Sequence, residues 1–402
     1  MDAVKLLIIF LMMLVIIFRF KKSLALAFAL GCVAVAFAYG FDPIFAAKLA
    51  VQSAFSRSTL AIVVIYYTVT FLQKMMEAKG HIALAEGALL GLTNSKRFSA
   101  AAAPVCAGLM PTPGAVIIGG TIVQSIYKDS ISNEDKNFIT SYYRHIPESF
   151  VPTFGSVILA CALAGVPTGE FVLYMLPMAA VLVLLGYVMF LRKLPKETGL
   201  PASADKIRAL KALLLSLWPV ILIICLVLLV RVDVYVITIA VIAAYVFINR
   251  FTWKDIAPFF KDSFESKLIL STIFIMIFKD YILSTDAVES LVALIARLPL
   301  PGYLVFSLIF FIGSAIVGVL GIVAIGLPLA YTAIPDGGVP LLILLVGMGF
   351  AAMQISISHI CLFLSSTFFK VEVASLIKRT IPVIAVYCVF LIGYYWLLLA
   401  LN

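Results

Sequence analysis

Charged residues are scarce in this chain. They make up 12% of its 402 residues, while hydrophobic residues make up 64%; a soluble domain carries about 25% charged residues. A soluble fold of this length could not bury so much apolar surface, so the composition predicts a polytopic membrane protein. The long apolar runs also lack alternation with polar residues, which predicts helices rather than a β-barrel. The net charge of +9 is attributed to basic cytoplasmic loops, and no nucleic-acid partner is expected.

Paired cysteines and familiar catalytic motifs are missing too. None of the six cysteines belongs to a Cys-x-x-Cys pair, so their spacing indicates neither a disulfide framework nor a metal site. The motifs His-Glu-x-x-His and Gly-x-Ser-x-Gly do not occur either. We therefore expect neither an enzyme nor a bound cofactor. The cysteines all lie in apolar stretches, at Cys32, Cys106, Cys161, Cys225, Cys361 and Cys388.

Histidine is rare, and its placement is informative. Two of the three histidines lie in stretches of similar outline, RHIPESFVPTF at 144–154 and SHICLFLSSTF at 358–368. In both stretches His-Ile is followed at the same spacing by Thr-Phe. The first also carries Pro147 and Pro152, and proline interrupts the hydrogen-bond ladder of a helix. We interpret the two stretches as broken transmembrane helices that face each other across one site.

Two other apolar segments are interrupted near their middle. Pro111-Thr-Pro-Gly114 divides Phe98–Tyr127 into halves that are too short to cross a bilayer core of about 30 Å. This segment predicts a re-entrant hairpin that enters and leaves the membrane on one side. Glycines interrupt Pro301–Ile334, which predicts a second hairpin with its tip near Gly318–Gly321.

The main hydrophilic segment, Arg192–Lys211, is interpreted as a cytoplasmic linker between two halves of similar plan. The predicted fold class is an all-α polytopic membrane protein with two inverted-topology repeats. It would have about ten transmembrane spans, two of them broken helices, together with two re-entrant hairpins. The predicted first repeat, 1–191, contains scaffold helices at 1–72, an amphipathic helix in the membrane plane at 73–97, a hairpin at 98–127, a broken helix at 138–164 and a helix at 171–191. The linker is 192–211. The second repeat, 212–402, contains scaffold helices at 212–283, an amphipathic stretch at 284–298, a hairpin at 301–334, a broken helix at 339–369 and a helix at 380–400.

The basic residues agree with this topology. When the linker is placed in the cytoplasm and the hairpins do not cross, most of the 29 lysine and arginine residues lie on the cytoplasmic side, as the positive-inside rule requires. The C-terminus then lies outside. The first helices of the two halves run in opposite directions, so the halves are inverted repeats, which are typical of secondary transporters.

With these features the chain resembles a known group of carriers. Its plan, with Met110–Gly114, Arg144-His145 and Ser358–Leu362, is similar to the ion-transporter superfamily of citrate, dicarboxylate, gluconate and arsenite carriers. Within that group it most resembles an uncharacterised family of presumed permeases, domain of unknown function 401. The resemblance implies a prokaryotic cytoplasmic (inner) membrane, a scaffold that forms a homodimer, and a transport part that moves like an elevator.

The resemblance also implies that substrate and ions bind where hairpin tips meet the broken helices. Sodium–carboxylate members carry Ser-Asn-Thr at these tips, whereas this chain has Pro111-Thr-Pro-Gly114. The tip sequence therefore does not distinguish a proton from a sodium ion as the coupling ion. It also does not decide whether the substrate is a carboxylate.

The broken helices predict the chemistry of the site. Free amide groups at half-helix starts suit anions, and free carbonyls suit a cation. Glu148 is the candidate for holding a coupling proton or a cation; pairing with Arg144 is the alternative. His145 and His359 either titrate near neutral pH or only fix the backbone through hydrogen bonds. The predicted substrate- and ion-binding residues are Thr112, Pro113, Gly114, His145, Glu148, Ser149, Thr153, Gly318, Gly321, Gln354, Ser356, Ser358, His359 and Thr367, with a sodium ion expected near Thr112, Ser149 and Ser358.

The predicted function is secondary active transport of a small, organic anion coupled to protons or sodium. Arg144 is the one basic residue close to the predicted site, which favours a weakly charged substrate. The expected partners are this small-molecule anion, the lipid bilayer and a second copy of the chain. The alternatives are an uncoupled channel and a lipid-phosphate flippase.

Overall fold

A computed structural model shows that the described part of the chain is all helical. Six of its helices are long and apolar enough to cross a membrane, judged by length and composition. These findings confirm the prediction of an all-α membrane protein. The structure describes residues 2–18, 20, 23–81, 84, 88, 95–109, 115–195, 206–230, 232–286, 290, 293, 299–356 and 359–401.

The helices of the first half begin at residues that cap their free amides. The Ser56 hydroxyl accepts a hydrogen bond from the amide of Thr59, and the Ser132 hydroxyl accepts one from the amide of Asp135. Gly165, with φ 67°, ends another helix in the left-handed conformation that glycine adopts easily. The helices are α1 (Asp2–Phe18), α2 (Leu24–Ala38), α3 (Pro43–Ala54), α4 (Arg57–Ala78), α5 (Lys96–Gly108), α6 (Ala115–Tyr127), α7 (Asn133–His145), α8 (Gly155–Ala164) and α9 (Thr168–Met189).

The helices of the second half follow the same order. Among the described residues, each half has four helices, then a hairpin, then a two-part helix and a long final helix. The helices are α10 (Lys206–Leu229), α11 (Val234–Ile248), α12 (Trp253–Asp262), α13 (Ser266–Leu283), α14 (Gly302–Ala333), α15 (Gly338–Met353), α16 (Ile360–Phe368) and α17 (Val373–Leu401).

Helices α5 and α6 lie side by side. A Cβ atom built on Gly119 would lie 3.1 Å from the Cα atom of Pro104. At ~1.5 Å per residue, these positions would be about 22 Å apart in one straight helix. The chain therefore reverses between α5 and α6. The predicted tip, 110–114, lies outside the described residues.

Helix α14 also reverses, at Gly318. The backbone of Gly318 has φ 77° and ψ 165°, a conformation that is open essentially to glycine alone. A Cβ atom on Gly326 would lie 2.6 Å from the Phe310 ring, and one on Gly313 would collide with Ile322. Both pairs are centred near Gly318, so the two arms of α14 fold against each other. This places the turn at the first residue of the predicted tip.

Each hairpin packs against parts of both halves. The α5–α6 hairpin contacts α7 of its own half, and α6 also contacts α16 of the other half. The α14 hairpin contacts α15 of its own half and α8 of the other half. The interruptions between α7 and α8 and between α15 and α16 are therefore enclosed between the two hairpins.

Several element boundaries differ from the expected ones. Helix α4 continues to Ala78, past the expected end at Leu72, because Gln73 and Glu77 form a hydrogen-bonded pair one turn apart that supports the helix. Helix α7 begins at Asn133 rather than at Phe138, because Ser132 caps it. Most of the segments 82–94 and 287–298, which belong to the expected amphipathic stretches, and all of the linker segment 196–205 lie outside the described residues.

Candidate functional site

The first interruption follows His145. Helix α7 ends there, and a short 3₁₀ turn, Ile146–Ser149, contains Pro147. Proline has no amide hydrogen and clashes with the carbonyl four residues earlier, so α7 cannot continue regularly through it. Extended and turn residues then lead to α8, which begins at Gly155. The interruption lies where the two prolines predict it.

The second interruption precedes its histidine. Helix α15 ends at Met353, and α16 begins at Ile360, directly after His359. Two serine hydroxyls join the α14 hairpin to this interruption and to the preceding helix α15. Ser356 donates to the carbonyl of Ala315 at 2.6 Å, and Ser314 donates to the carbonyl of Gly349 at 2.6 Å.

The two histidines meet where the interruptions converge. The Nε2 atoms of His145 and His359 are 2.9 Å apart, and their ring centroids are 4.9 Å apart. His145 is fully buried, and its Nδ1 lies 2.5 Å from the carbonyl oxygen of Ser141. A carbonyl only accepts, so Nδ1 carries the proton and donates it; Nε2 of His145 then accepts the hydrogen bond that His359 donates. At these two residues, the stretches 144–154 and 358–368 therefore face each other as the sequence predicts.

Arg144 and Glu148 form an ion pair one turn apart. Arg144 Nη1 lies 2.8 Å from Glu148 Oε2, with the arginine side chain 3% exposed and the glutamate side chain 17% exposed. The expected alternative, pairing with Arg144, is thus realised. The pairing does not remove Glu148 from the site, because both side chains line the same cavity.

This cavity has a volume of about 580 Å³, within the range of roughly 300–1,000 Å³ for small-molecule sites. Both interruptions, the turn of α14 and one face of α4 form its wall. Four of the predicted residues line it: Glu148, Thr153, Gly318 and His359. The structure thus brings them to a single space.

Thr153 is the lining residue with an unused polar group. It is 6% exposed, and its hydroxyl has no hydrogen-bond partner within the described part of the chain. A buried hydroxyl without a partner is unfavourable, because it has lost its hydrogen bonds to water. Thr153 is therefore ready to bind a polar group of a solute that enters the cavity.

Several lining residues are absent from the set predicted from the sequence, among them four charged or amide-bearing ones. Gln73, Lys74 and Glu77 lie on the last turns of α4, and Glu265 precedes α13. The sequence pattern predicts a separate amphipathic helix over Gln73–Arg97. Tyr66, Gln73 and Glu77 follow one another at intervals of seven and four residues, so they share one helical face. This continuous spacing was the signal that could have placed them in the site.

Other predicted residues do not line the cavity. The Ser149 hydroxyl donates to the carbonyl of Ile146 at 2.7 Å, within its own turn. Gly321, Gln354 and Ser356 lie near the second interruption but outside the cavity wall. The amide nitrogen and oxygen of Gln354, which is 3% exposed, have no partner among the described residues.

Thr367 is a correction to the predicted set. It lies exposed on α16, away from the cavity, while its neighbours Ser365 and Ser366 bind Asn137. The Thr-Phe spacing is the same in both stretches, but the interruption follows the histidine in the first and precedes it in the second. Thr153 therefore lies in the interruption, whereas Thr367 lies two turns into a helix.

The remaining predicted residues lie outside the described part. These are Thr112, Pro113, Gly114 and Ser358. The expected sodium ion involved two of them and Ser149, whose hydroxyl donates within its own turn. The sodium expectation thus stays a prediction.

The charged residues of the cavity nearly balance. Lys74 and Arg144 carry positive charge, and Glu77, Glu148 and Glu265 carry negative charge. Lys74 and Glu77 also lie close together, with Nζ 3.7 Å from Oε2. Within the described part of the wall, basic groups are not in excess, so they would not neutralise a polyanion.

The chain matches a known protein family over nearly its whole length. The model of the family described as "protein of unknown function (DUF401)" matches residues 3–399. The match spans nearly the whole chain, so the chain belongs to this family. A comparison with curated proteins finds no match.

Proposed function

We propose that this DUF401 protein is a secondary active transporter of a small, weakly charged organic anion. The observation that carries the proposal is the convergence of two interrupted helices on one cavity, with His145 and His359 in contact. Interrupted helices at mid-membrane expose backbone amides and carbonyls, which bind solutes and coupling ions in transporters. In a bilayer, such irregular backbone is tolerated only where it lines a cavity or is buried in protein.

The packing of the helices supports two repeats related by a pseudo-two-fold axis. The contact of α2 with α13 becomes the contact of α11 with α4 when the halves are exchanged. The contact of α6 with α16 likewise becomes that of α14 with α8. We propose that the repeats are inverted, with the linker 192–211 in the cytoplasm and the C-terminus outside.

The site chemistry favours a weakly charged solute. Cations and carboxylates nearly balance in the cavity wall, so a polyanion would lack compensation for its lost hydration. The Thr153 hydroxyl, which has no partner in the described part, is available to a substrate oxygen. Glu148 is proposed to carry the coupling proton, since it is the carboxyl that both interacts with Arg144 and reaches the cavity.

The movement is proposed to be of the elevator type. The hairpins and the interrupted helices would move together, carrying the cavity past helices α1–α4 and α10–α13, which would hold a homodimer in a prokaryotic cytoplasmic membrane. Such a movement keeps the two interruptions and the turn of α14 together, while the part of the wall that α4 contributes changes. It thereby changes the side to which the cavity opens.

Uptake by purified protein in liposomes tests this proposal. A thermal-shift screen of small organic acids, with and without sodium, first identifies a ligand. We expect accumulation of that ligand against its gradient when a proton or sodium gradient is imposed. We expect Glu148→Gln to abolish proton-driven accumulation while leaving ligand binding within about tenfold.

Glu170→Gln is the matched control, because Glu170 is exposed at the start of α9 and does not line the cavity. It should transport like the unmodified protein. Equilibration without accumulation would point to a channel instead. Accumulation unchanged by Glu148→Gln would remove this residue from the coupling mechanism.

A further inference from the structure

We infer that His145, His359 and Cys361 form a binding site for a divalent transition-metal ion of the zinc type. One nitrogen from each imidazole and the sulfur of Cys361 lie within 4.8 Å of one another. The three ligands flank the two interruptions, because His145 ends α7, His359 directly precedes α16 and Cys361 lies in the first turn of α16. Two of them, His359 and Cys361, line the cavity.

The distances suit a small cation after a minor adjustment. Zinc binds imidazole nitrogen at about 2.0–2.1 Å and thiolate sulfur at about 2.3 Å, so tetrahedral ligands lie about 3.3–3.6 Å apart. The two Nε2 atoms are now 2.9 Å apart. A shift of the His359 side chain by a few tenths of an ångström brings the two nitrogens to the required separation, and His359 can shift because it is half-buried and adjoins the cavity. The three ligand atoms now lie within 4.8 Å of one another, so the sulfur of Cys361 moves toward the ion to complete the site.

The hydrogen bond to Ser141 prepares His145 as a ligand. The Nδ1–H group donates to the Ser141 carbonyl at 2.5 Å, which leaves the lone pair of Nε2 directed at the site. Histidines that bind metals regularly donate their other ring N–H to a backbone carbonyl or carboxylate. The arrangement therefore fixes both the tautomer and the ring orientation before a metal arrives.

Metal binding changes the protons of the other two ligands. The thiol of Cys361 loses its proton, which leaves through the cavity, and the resulting thiolate binds the metal. His359 keeps one proton, which moves from Nε2 to Nδ1 so that Nε2 can bind. One proton is thus released for each ion bound, and no redox step is involved.

The donor set indicates the class of metal. Two imidazoles and one thiolate favour Zn²⁺ or Co²⁺ over Mg²⁺ and Ca²⁺, which prefer oxygen ligands. Three protein ligands beside a cavity leave a fourth position for water or a solute oxygen. The nearby charge of Arg144 is compensated by Glu148 at 2.8 Å, so it does not exclude a cation. The inference does not depend on the proposed transport, because binding is measured on the purified protein alone.

Titration with cobalt chloride tests the site directly. We expect one Co²⁺ per chain, with the ligand-to-metal charge-transfer band of a Co²⁺–thiolate bond and the intense visible bands of tetrahedral cobalt. Zinc chloride should displace the cobalt and raise the melting temperature, whereas magnesium chloride should do neither. Cys361→Ser should abolish the charge-transfer band, and His359→Gln should weaken binding by more than about tenfold, since even residues that only orient a ligand change affinity by about 10–100-fold.

Two control variants separate this site from general effects of substitution. Cys161→Ser removes a cysteine that is equally buried, at 3% exposure for both residues, and His81→Gln removes the third histidine. Both should keep the cobalt spectrum. Absence of the charge-transfer band in the unmodified protein overturns the inference. A charge-transfer band that survives Cys361→Ser, or that disappears with Cys161→Ser, also overturns the inference. If Cys361→Ser does not fold, the His359→Gln variant decides, and cobalt binding that this variant leaves unaltered overturns the inference.

Discussion

At the scale of single residues, Arg144 and Glu148 show how a buried charge is tolerated in this protein. The guanidinium of Arg144 is almost fully buried, while the Glu148 side chain reaches the cavity. Arginine does not lose its charge in proteins, whereas a carboxyl group can be neutralised by a proton. Removing Glu148 is therefore expected to change the stability of the protein more than removing Arg144.

We expect Glu148→Ala to destabilise the protein more than Arg144→Gln does. The first variant leaves a buried guanidinium without its carboxylate, which costs about 3 kcal/mol or more. The second leaves a carboxyl that can take up a proton from the cavity. Melting temperatures of the detergent-purified variants measure the difference.

The double variant Arg144→Gln/Glu148→Gln provides the control for this comparison. It removes both charges and keeps polar side chains of similar size, so it should be more stable than Glu148→Ala. If the double variant is the least stable of the three, the stability of this region does not depend on charge compensation.

At the scale of elements, the two interrupted helices reach one cavity by different means. The first has Pro147 in a 3₁₀ turn after its histidine. The second has no proline between Gln354 and His359, and serine hydroxyls bind it to the α14 hairpin instead. The stability of the α14 turn therefore bears directly on the shape of the second interruption.

Gly318→Ala is expected to destabilise the α14 hairpin. A Cβ atom at Gly318 meets no other atom within 4 Å, so the effect comes from the backbone, with φ 77° and ψ 165°. A residue other than glycine in this region costs about 1–3 kcal/mol. Thermal unfolding of the variant measures this cost, and ligand or metal binding reports any change in the cavity.

Gly393→Ala is the matched control, since Gly393 lies within helix α17 and a Cβ atom there also meets nothing within 4 Å. Alanine is favoured over glycine in a helix by about 0.5–1 kcal/mol. This variant should therefore be at least as stable as the unmodified protein. Equal effects of the two substitutions would contradict a special backbone role for Gly318.

Part of the site was predictable from the sequence because polar residues are rare in an apolar chain. His145 and His359 stood out for that reason, and they meet. The position of Thr367 was not predictable from the same repeat, because nothing in the matching letters shows that one interruption follows its histidine and the other precedes it.

Long-range proximity was the other limit. Cys361 is two residues from His359 but far in sequence from His145, which is separated from His359 by 214 positions. Cysteine spacing therefore could not indicate the proposed metal site, whose three ligands only the folded chain brings together. The continuation of α4 to Ala78 was missed for a different reason: its charged residues suggested an interface, yet they face the cavity.

At the scale of the whole molecule, neither half encloses the cavity alone. The wall combines α4 and the first interruption with α14 and the second interruption. Several contacts that cross between the halves occur in pairs related by exchange of the halves. Transporters built from repeats bind their substrates at the interface of the repeats, so the proposed transport depends on how the two halves are oriented in the membrane.

Reporter fusions test this orientation. Inverted repeats place the linker 192–211 and the C-terminus on opposite sides of the membrane, since each half would then cross an odd number of times. We expect green fluorescent protein inserted in the linker to fluoresce, and alkaline phosphatase fused after residue 402 to be active, because the first matures in the cytoplasm and the second outside it. The reciprocal fusions should be inactive, which controls for expression. Cytoplasmic reporters active at both positions would mean that each half crosses an even number of times, and the inverted arrangement would have to be abandoned.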